Sequence, residues 1–354
     1  MGVAPRRRHR NGGGPMMDRA AAIGDFLAAH GWGGADRAPV AADASFRRYE
    51  RLTQGTRRAM LMDAPPPHEN VDAFVAIARH LKSLGFGAPD IFAKDRDNGF
   101  LIIEDFGDDT FTRILAAAAG QEPGLYTLAV DVLAELHGIA TERVAPPGTE
   151  RYSDEKLLDE ALLLCNWTWG SLFGAPPDDT IRQSYQAAWR EAFSSLRNQP
   201  DTLVLRDYHV DNLMVLEGRT GIARCGLLDF QDAVLGPAAY DLASLLEDAR
   251  RDIDPALKEA MLQRYFTALP GLDRDQFNAA FAVLAAQRHA KVIGIFTRLS
   301  LRDAKPAYLV HIPRVWRLLE EAMRHPALAP VAAWFDAHIP PGKRVVPARA
   351  GTAS

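Results

Sequence analysis

The chain has 354 residues, 47% of them hydrophobic and 24% charged, with a formal net charge of −4. Those proportions fit a globular protein with a sizeable core and exclude a collagen-like or largely disordered chain. The near-neutral balance gives no general drive toward nucleic acid or an anionic membrane, and two cysteines, Cys165 and Cys225, supply neither a disulfide framework nor a four-ligand zinc site.

Residues 1–16 are basic and glycine-rich (Arg6, Arg7, Arg8, Arg10, Gly12 to Gly14) and are expected to form a disordered tail, with Met16 or Met17 as the natural start. Ala20, Ile23 and Leu27 recur at helical spacing, which predicts a helix over Met17 to His30. Phe46 to Leu52 and Arg58 to Asp63 read as strands joined by the turn Thr53-Gln54-Gly55-Thr56. Val71, Phe74, Ala78 and Leu81 then mark an amphipathic helix, and Ile91 to Lys94 with Gly99 to Glu104 reads as a second strand pair. Residues 17–106 therefore predict a small lobe with an antiparallel sheet and one main helix. Helical periodicity dominates from Asp109 to Leu196 and again from Ala239 to Arg324, interrupted by a strand-rich island over Leu203 to Phe230. Residues 107–340 are expected as a larger, mainly helical lobe around this β-hairpin island, and 341–354 as a flexible, proline-containing tail. The fold class is α+β, with two lobes and a cleft. No apolar run approaches the roughly 18–20 residues that a membrane span needs.

The chemistry concentrates in the island. One apolar run, Leu203-Val204-Leu205, ends in Arg206-Asp207, and a second, Gly226-Leu227-Leu228, ends in Asp229-Phe230. Asn212 follows Asp207 by five positions, and pairing of Leu213–Leu216 with Cys225–Leu228 would bring Asn212 beside Asp229. A carboxamide and a carboxylate are oxygen ligands suited to Mg²⁺, which keeps waters and nucleotide phosphates as its remaining ligands. A separate carboxylate, Asp207, can orient an acceptor hydroxyl and take its proton. Taken alone, these residues also admit solvated aspartates at strand ends. No G-x-x-x-x-G-K-[ST] phosphate loop and no H-E-x-x-H metal motif is present.

The constellation Arg206-Asp207-(four residues)-Asn212 followed by Asp229-Phe230 resembles the protein-kinase-like superfamily. The segment Gly236-Pro237-Ala238-Ala239-Tyr240-Asp241 is similar to the aminoglycoside phosphotransferase branch, in which an aspartate matching Asp241 braces the catalytic loop. Leu133-Ala134-Glu135-Leu136-His137 resembles a family helix ending in Leu-His, with His137 structural. The resemblance sharpens through departures. Where most members carry a Gly-rich phosphate loop, this chain has Asp43-Ala44-Ser45-Phe46-Arg47-Arg48. Met62 occupies the position of the phosphate-binding lysine. Together with Gly99 to Asp108, Gln287-Arg288-His289-Ala290-Lys291 and Ile312-Pro313-Arg314, this looks like the anomeric kinases of N-acetylmuramate and N-acetylglucosamine, over Asp18 to His338.

That resemblance implies ATP and Mg²⁺ as cofactors, a small sugar acceptor, a cytoplasmic enzyme of peptidoglycan recycling, and no nucleic-acid, membrane or obligate protein partner. It implies Asp207 as general base, with Asn212 and Asp229 on the metal. Ser45, Phe46 and one of Arg47 or Arg48 would meet the phosphates, because strand alternation sends only one of the two arginines that way. The segment Glu104-Asp105-Phe106 would meet adenine through its backbone. Glu69, the nearest analogue of the kinase helix glutamate, has no lysine to pair and reads as a favourable charge at a helix start. Acceptor contacts fall to His209, Glu160, Asn166, Trp167, Arg288 and Arg298. The last two belong to a stripe with Lys291 that faces either solvent or the lactyl carboxylate of N-acetylmuramate. An aminoglycoside, choline or another alcohol as acceptor, and a nucleotide-binding pseudokinase, remain the alternatives.

Overall fold

The structure is a computed structural model that describes residues 15–40, 47–197 and 199–347. The chain divides into two compact units, one of residues 1–75 and 89–107, the other of 76–88 and 108–354. Against the expected boundary at 106/107, the segment 76–88 groups with the second unit and Gly107 with the first.

The first unit opens with α1 (Pro15–Ala29), followed by β1 (Asp36–Val40), β2 (Arg48–Gln54), β3 (Arg57–Asp63), the start of α2 (Val71–Ser83), β4 (Ile91–Asp95) and β5 (Phe100–Ile103). Every strand pairing is antiparallel, in the order β1-β2-β3-β5-β4. Strand alternation turns Leu52, Ala59, Leu61, Phe100 and Ile102 to one face, where they pack with Ile23, Phe26 and Leu27 of α1 and with Trp32. The edge strand β1 was not anticipated. Its sequence, Asp-Arg-Ala-Pro-Val, is exposed along nearly its length and carries Pro39, which an edge tolerates and a central strand does not.

The second unit is mainly helical: α3 (Phe111–Ala117), α4 (Glu122–His137), α5 (Thr141–Val144), α6 (Asp154–Ala161), α7 (Trp169–Phe173) and α8 (Asp179–Phe193) precede the island. A π-helical turn, Leu164–Thr168, links α6 to α7. The island contributes β6 (Asp201–Val204), β7 (Leu213–Val215) and β8 (Cys225–Leu227). It is followed by β9 (Val234–Pro237), α9 (Ala239–Leu246), α10 (Pro255–Ala268), α11 (Arg274–Leu301), α12 (Ile312–Ala322) and α13 (Ala329–His338). Val234–Pro237, for which no strand was expected, pairs antiparallel with β6. α11, with 28 residues, is the spine of this unit. It contains an apolar window of membrane-span length, contrary to the expectation of none, and that window is mostly buried within the unit. At Gly294 the helix passes so close to the segment after α6 that an added Cβ would lie 2.3 Å from the Leu163 carbonyl carbon. The tail expected from 341 is anchored in its first part: Arg344, its side chain largely buried, pairs with Glu320 at 2.9 Å and Asp336 at 2.8 Å.

Candidate active site

The loop that carries Asp207 follows β6 and begins with strain. Arg206 has φ +70°, a left-handed conformation that costs a non-glycine residue about 1–3 kcal/mol. Four contacts hold it there. Its backbone N–H donates to Asp241 at 2.8 Å, and the preceding Leu205 N–H donates to the other Asp241 oxygen at 2.6 Å. Its guanidinium binds the Glu160 carboxylate. Its carbonyl accepts from Arg288 Nη1 at 3.0 Å. Asp241, fully buried in the first turn of α9, thus supplies both of its carboxyl oxygens to two backbone donors of the loop.

Asp207 emerges from this brace with its side chain 42% exposed and Arg288 Nη1 3.8 Å from its Oδ1. Burial works to raise its pKa, and Arg288, then Lys291 and His209, hold the carboxyl below the usual aspartate range. Asn212 Nδ2 donates to the Asp207 carbonyl at 2.9 Å and lies 3.5 Å from His209 Nε2. Its amide is thereby turned inward, so its carbonyl oxygen is the atom it can offer a cation. In the β7–β8 hairpin Leu213 faces Leu227, and Leu228 N–H donates to the Asn212 carbonyl at 3.0 Å. This places Asn212 beside the strand end that leads into Asp229, itself at φ +56°. The juxtaposition expected from the spacing is therefore present. Among the described residues no group of three or more His, Cys, Asp or Glu side chains could hold a metal. One carboxamide and one carboxylate suit a hard, partly hydrated cation such as Mg²⁺ far better than zinc.

Several acceptor candidates are tied into buried networks. Glu160 is largely buried, bonded to Arg206, to Lys291 Nζ at 3.0 Å and to the Tyr152 hydroxyl. Burial works to raise its pKa, and Lys291 and Arg206 overcome it, so Glu160 stays ionised as the anchor of a buried network. His209 is buried, with its Nε2 3.5 Å from Asn212 Nδ2. Burial, only partly opposed by Asp248, lowers its pKa. Arg288 and Lys291 are buried, so the solvent-facing alternative for the stripe fails at both: each has a carboxylate waiting inside the unit. Arg298 and Trp167 are half-buried and Asn166 is exposed. His137 Nδ1 meets the Tyr265 hydroxyl at 2.7 Å, a structural contact. Sequence reasoning missed Lys291, Tyr152 and Gln287 as members of the Glu160 network. The available signal was polar side chains interrupting an apolar helix, which folding tolerates only when they are paired.

In the first unit, Ser45 and Phe46 lie outside the described residues. Arg47 is buried and its Nε lies 3.5 Å from Glu69 Oε2, while Arg48 is exposed. Glu69 is therefore the partner of an arginine and not merely a charge at a helix start. Met62 is buried and apolar. Asp105 accepts from Arg51 Nε at 2.7 Å and from Gly107 N–H at 3.0 Å, and Glu104 accepts the Asp90 N–H at 3.1 Å. Both carboxylates are thus taken up within the unit. Phe106 is half-buried.

Residues 36–278 match the phosphotransferase enzyme family (APH). A protein of Caulobacter vibrioides named N-acetylmuramate/N-acetylglucosamine kinase is 36% identical over 354 residues, covering 91% of this chain and 97% of that protein. One of the same name from Pseudomonas aeruginosa is 36% identical over 316 residues, covering 86% and 90%. Among solved structures, choline kinase LicA from Streptococcus pneumoniae superposes with a TM-score of 0.60 at 11% identity, covering 87% of this chain and all of that one, a likeness of fold alone.

Proposed function

We propose a specific reaction for this chain, which belongs to the phosphotransferase enzyme family and is an enzyme of the kinase class. It transfers the γ-phosphoryl group of ATP to the anomeric hydroxyl of N-acetylmuramate and N-acetylglucosamine, giving the α-1-phosphate, in the cytoplasmic recovery of cell-wall sugars. The observation that carries this reading is near end-to-end similarity to proteins of that name.

Asp207 accepts the proton of the anomeric hydroxyl as the sugar oxygen bonds to the γ-phosphorus and the bond to the ADP oxygen breaks. Such general-base assistance is worth typically about 10²–10⁴-fold. Arg288 keeps Asp207 ionised and fixes its loop through the Arg206 carbonyl. Asn212 and Asp229 would hold Mg²⁺, which when bound neutralises phosphate charge. Arg47, steadied by Glu69, supplies the fixed positive charge for the phosphates that the buried Met62 cannot.

The test is ADP release from Mg-ATP with N-acetylmuramate, N-acetylglucosamine, glucose, choline or kanamycin, with the product identified by phosphorus NMR. Turnover confined to the two N-acetyl sugars, and loss of turnover but not of ATP binding in Asp207→Asn, is the expected result. Turnover on choline or kanamycin would overturn the acceptor assignment. ATP binding without turnover on any acceptor would leave a pseudokinase.

A further inference from the structure

From Ala280 to Ser300, α11 rises above full burial at only two residues, Ile295 and Arg298. Ile295 lies seven residues, two turns, beyond Arg288 on the same face, and Arg288 is the side chain that reaches Asp207. The accessible strip of α11 thus runs away from the reacting end toward Arg298. Arg298 stands about 15 Å along the axis from Arg288. Helical side chains lean toward the helix N-terminus, the direction along the axis in which Arg288 lies.

The surroundings of Arg298 are those of an anion site. Its Nε is buried and has no hydrogen-bond partner among the described residues. Burial and the neighbouring Arg302 both lower its pKa, so the cation is under-compensated. The nearby carboxylate, Asp303, is already held by Arg302 in a bidentate pair, Nε to Oδ1 at 2.7 Å and Nη2 to Oδ2 at 3.0 Å. The π-helical turn flanks this position. Thr168 Oγ1 lies 3.0 Å from Oγ1 of Thr297, the residue before Arg298, and the Arg302 guanidinium lies 6.0 Å from the Trp167 ring centroid. Such turns are frequent at functional sites. Arg288, the other candidate for an acceptor anion, is committed to the Arg206 carbonyl and to Asp207.

The geometry points to Arg298 as the carboxylate receptor of the acceptor site, binding the lactyl ether acid of N-acetylmuramate and so setting preference between that sugar and N-acetylglucosamine; this rests on the amino-sugar reaction proposed above. The test measures kcat/KM for both sugars in the wild type, Arg298→Lys and Arg298→Met. Calorimetric titration with N-acetylmuramate and its methyl ester accompanies it. Losing a charge-assisted pair is expected to lower the N-acetylmuramate to N-acetylglucosamine ratio about 10- to 100-fold in Arg298→Met, and Arg298→Lys is expected to recover part of it. The ester should bind the wild type about as weakly as the free acid binds Arg298→Met. An unchanged ratio, or equal wild-type affinity for acid and ester, overturns the assignment and leaves the reaction standing. A wild-type protein that phosphorylates neither sugar overturns both.

Discussion

Asp241 offers the sharpest test of how the catalytic loop is held, because its burial sets stability against function. Burial pushes its carboxyl up to about 7 from the ordinary 3.8, an effect that the N–H groups of Leu205 and Arg206 offset only in part. That gap corresponds to about 4 kcal/mol. Between pH about 4 and 7 the folded chain therefore binds a proton that the unfolded chain releases, and this group's contribution to stability falls as pH rises through that window. Asp241→Asn has the same shape, cannot ionise, and presents one acceptor oxygen where two backbone donors wait. The unpaired buried N–H costs about 1–3 kcal/mol. The variant is expected to be less stable than the wild type near pH 4.5. It should gain on the wild type by up to about 4 kcal/mol by pH 8, as the buried charge is no longer present. Its kcat falls at every pH, about 100-fold if Asp207 moves by about 1 Å. Urea unfolding at pH 4.5, 6 and 8 together with saturating kinetics reads both quantities. A stability difference independent of pH, or an undiminished kcat, would refute the reasoning.

Three further expectations concern other parts of the molecule. Arg47→Met should raise KM for ATP and lower kcat together while leaving KM for the sugar within about twofold, with Arg47→Lys intermediate; steady-state kinetics with each substrate varied decides it. Burial lowers His137 to about 3 from 6.5, so the folded chain refuses a proton that the unfolded chain takes. Wild-type stability should then fall by about 1.4 kcal/mol per pH unit below 6.5 relative to His137→Phe, a slope that thermal unfolding between pH 7 and 5 would show or refute. Gly294→Ala forces a Cβ against the Leu163 backbone and should cost about 1–3 kcal/mol or more, read as a lowered Tm with the fold retained.

The juxtaposition of the proposed catalytic residues was legible in the sequence because it is local. Asp207 and Asn212 sit on one loop, and a short hairpin with an apolar register carries Asp229 to them. The long helices were legible for a similar reason, their periodicity being visible within each segment. What stayed hidden depends on approaches between distant segments. Glu160 looks like any polar residue on an amphipathic helix until Arg206 and Lys291, 46 and 131 positions away, close on it. The Arg47–Glu69 pair was hidden by the same distance, and pleat alternation alone gave the right rule, one arginine in and one out, without naming which. β1 and β9 escaped because strand patterning is weak where an edge is polar or where Gly236-Pro237 imitates a turn.

α11 sends Arg288 to the catalytic loop, His289 to Glu247 at the end of α9, and Lys291 to Glu160 on α6, all within little more than one turn. Gly294 then fixes its distance from the segment after α6. Such a helix works like a keyed shaft: rotation or sliding by one residue would disengage several buried charges at once. If Arg298 receives the acceptor as proposed, variation in acceptor preference is confined to where the shaft leaves its bearings, at Ile295 and beyond. Changes of substrate by mutation should accumulate at that end, with the reacting end left untouched.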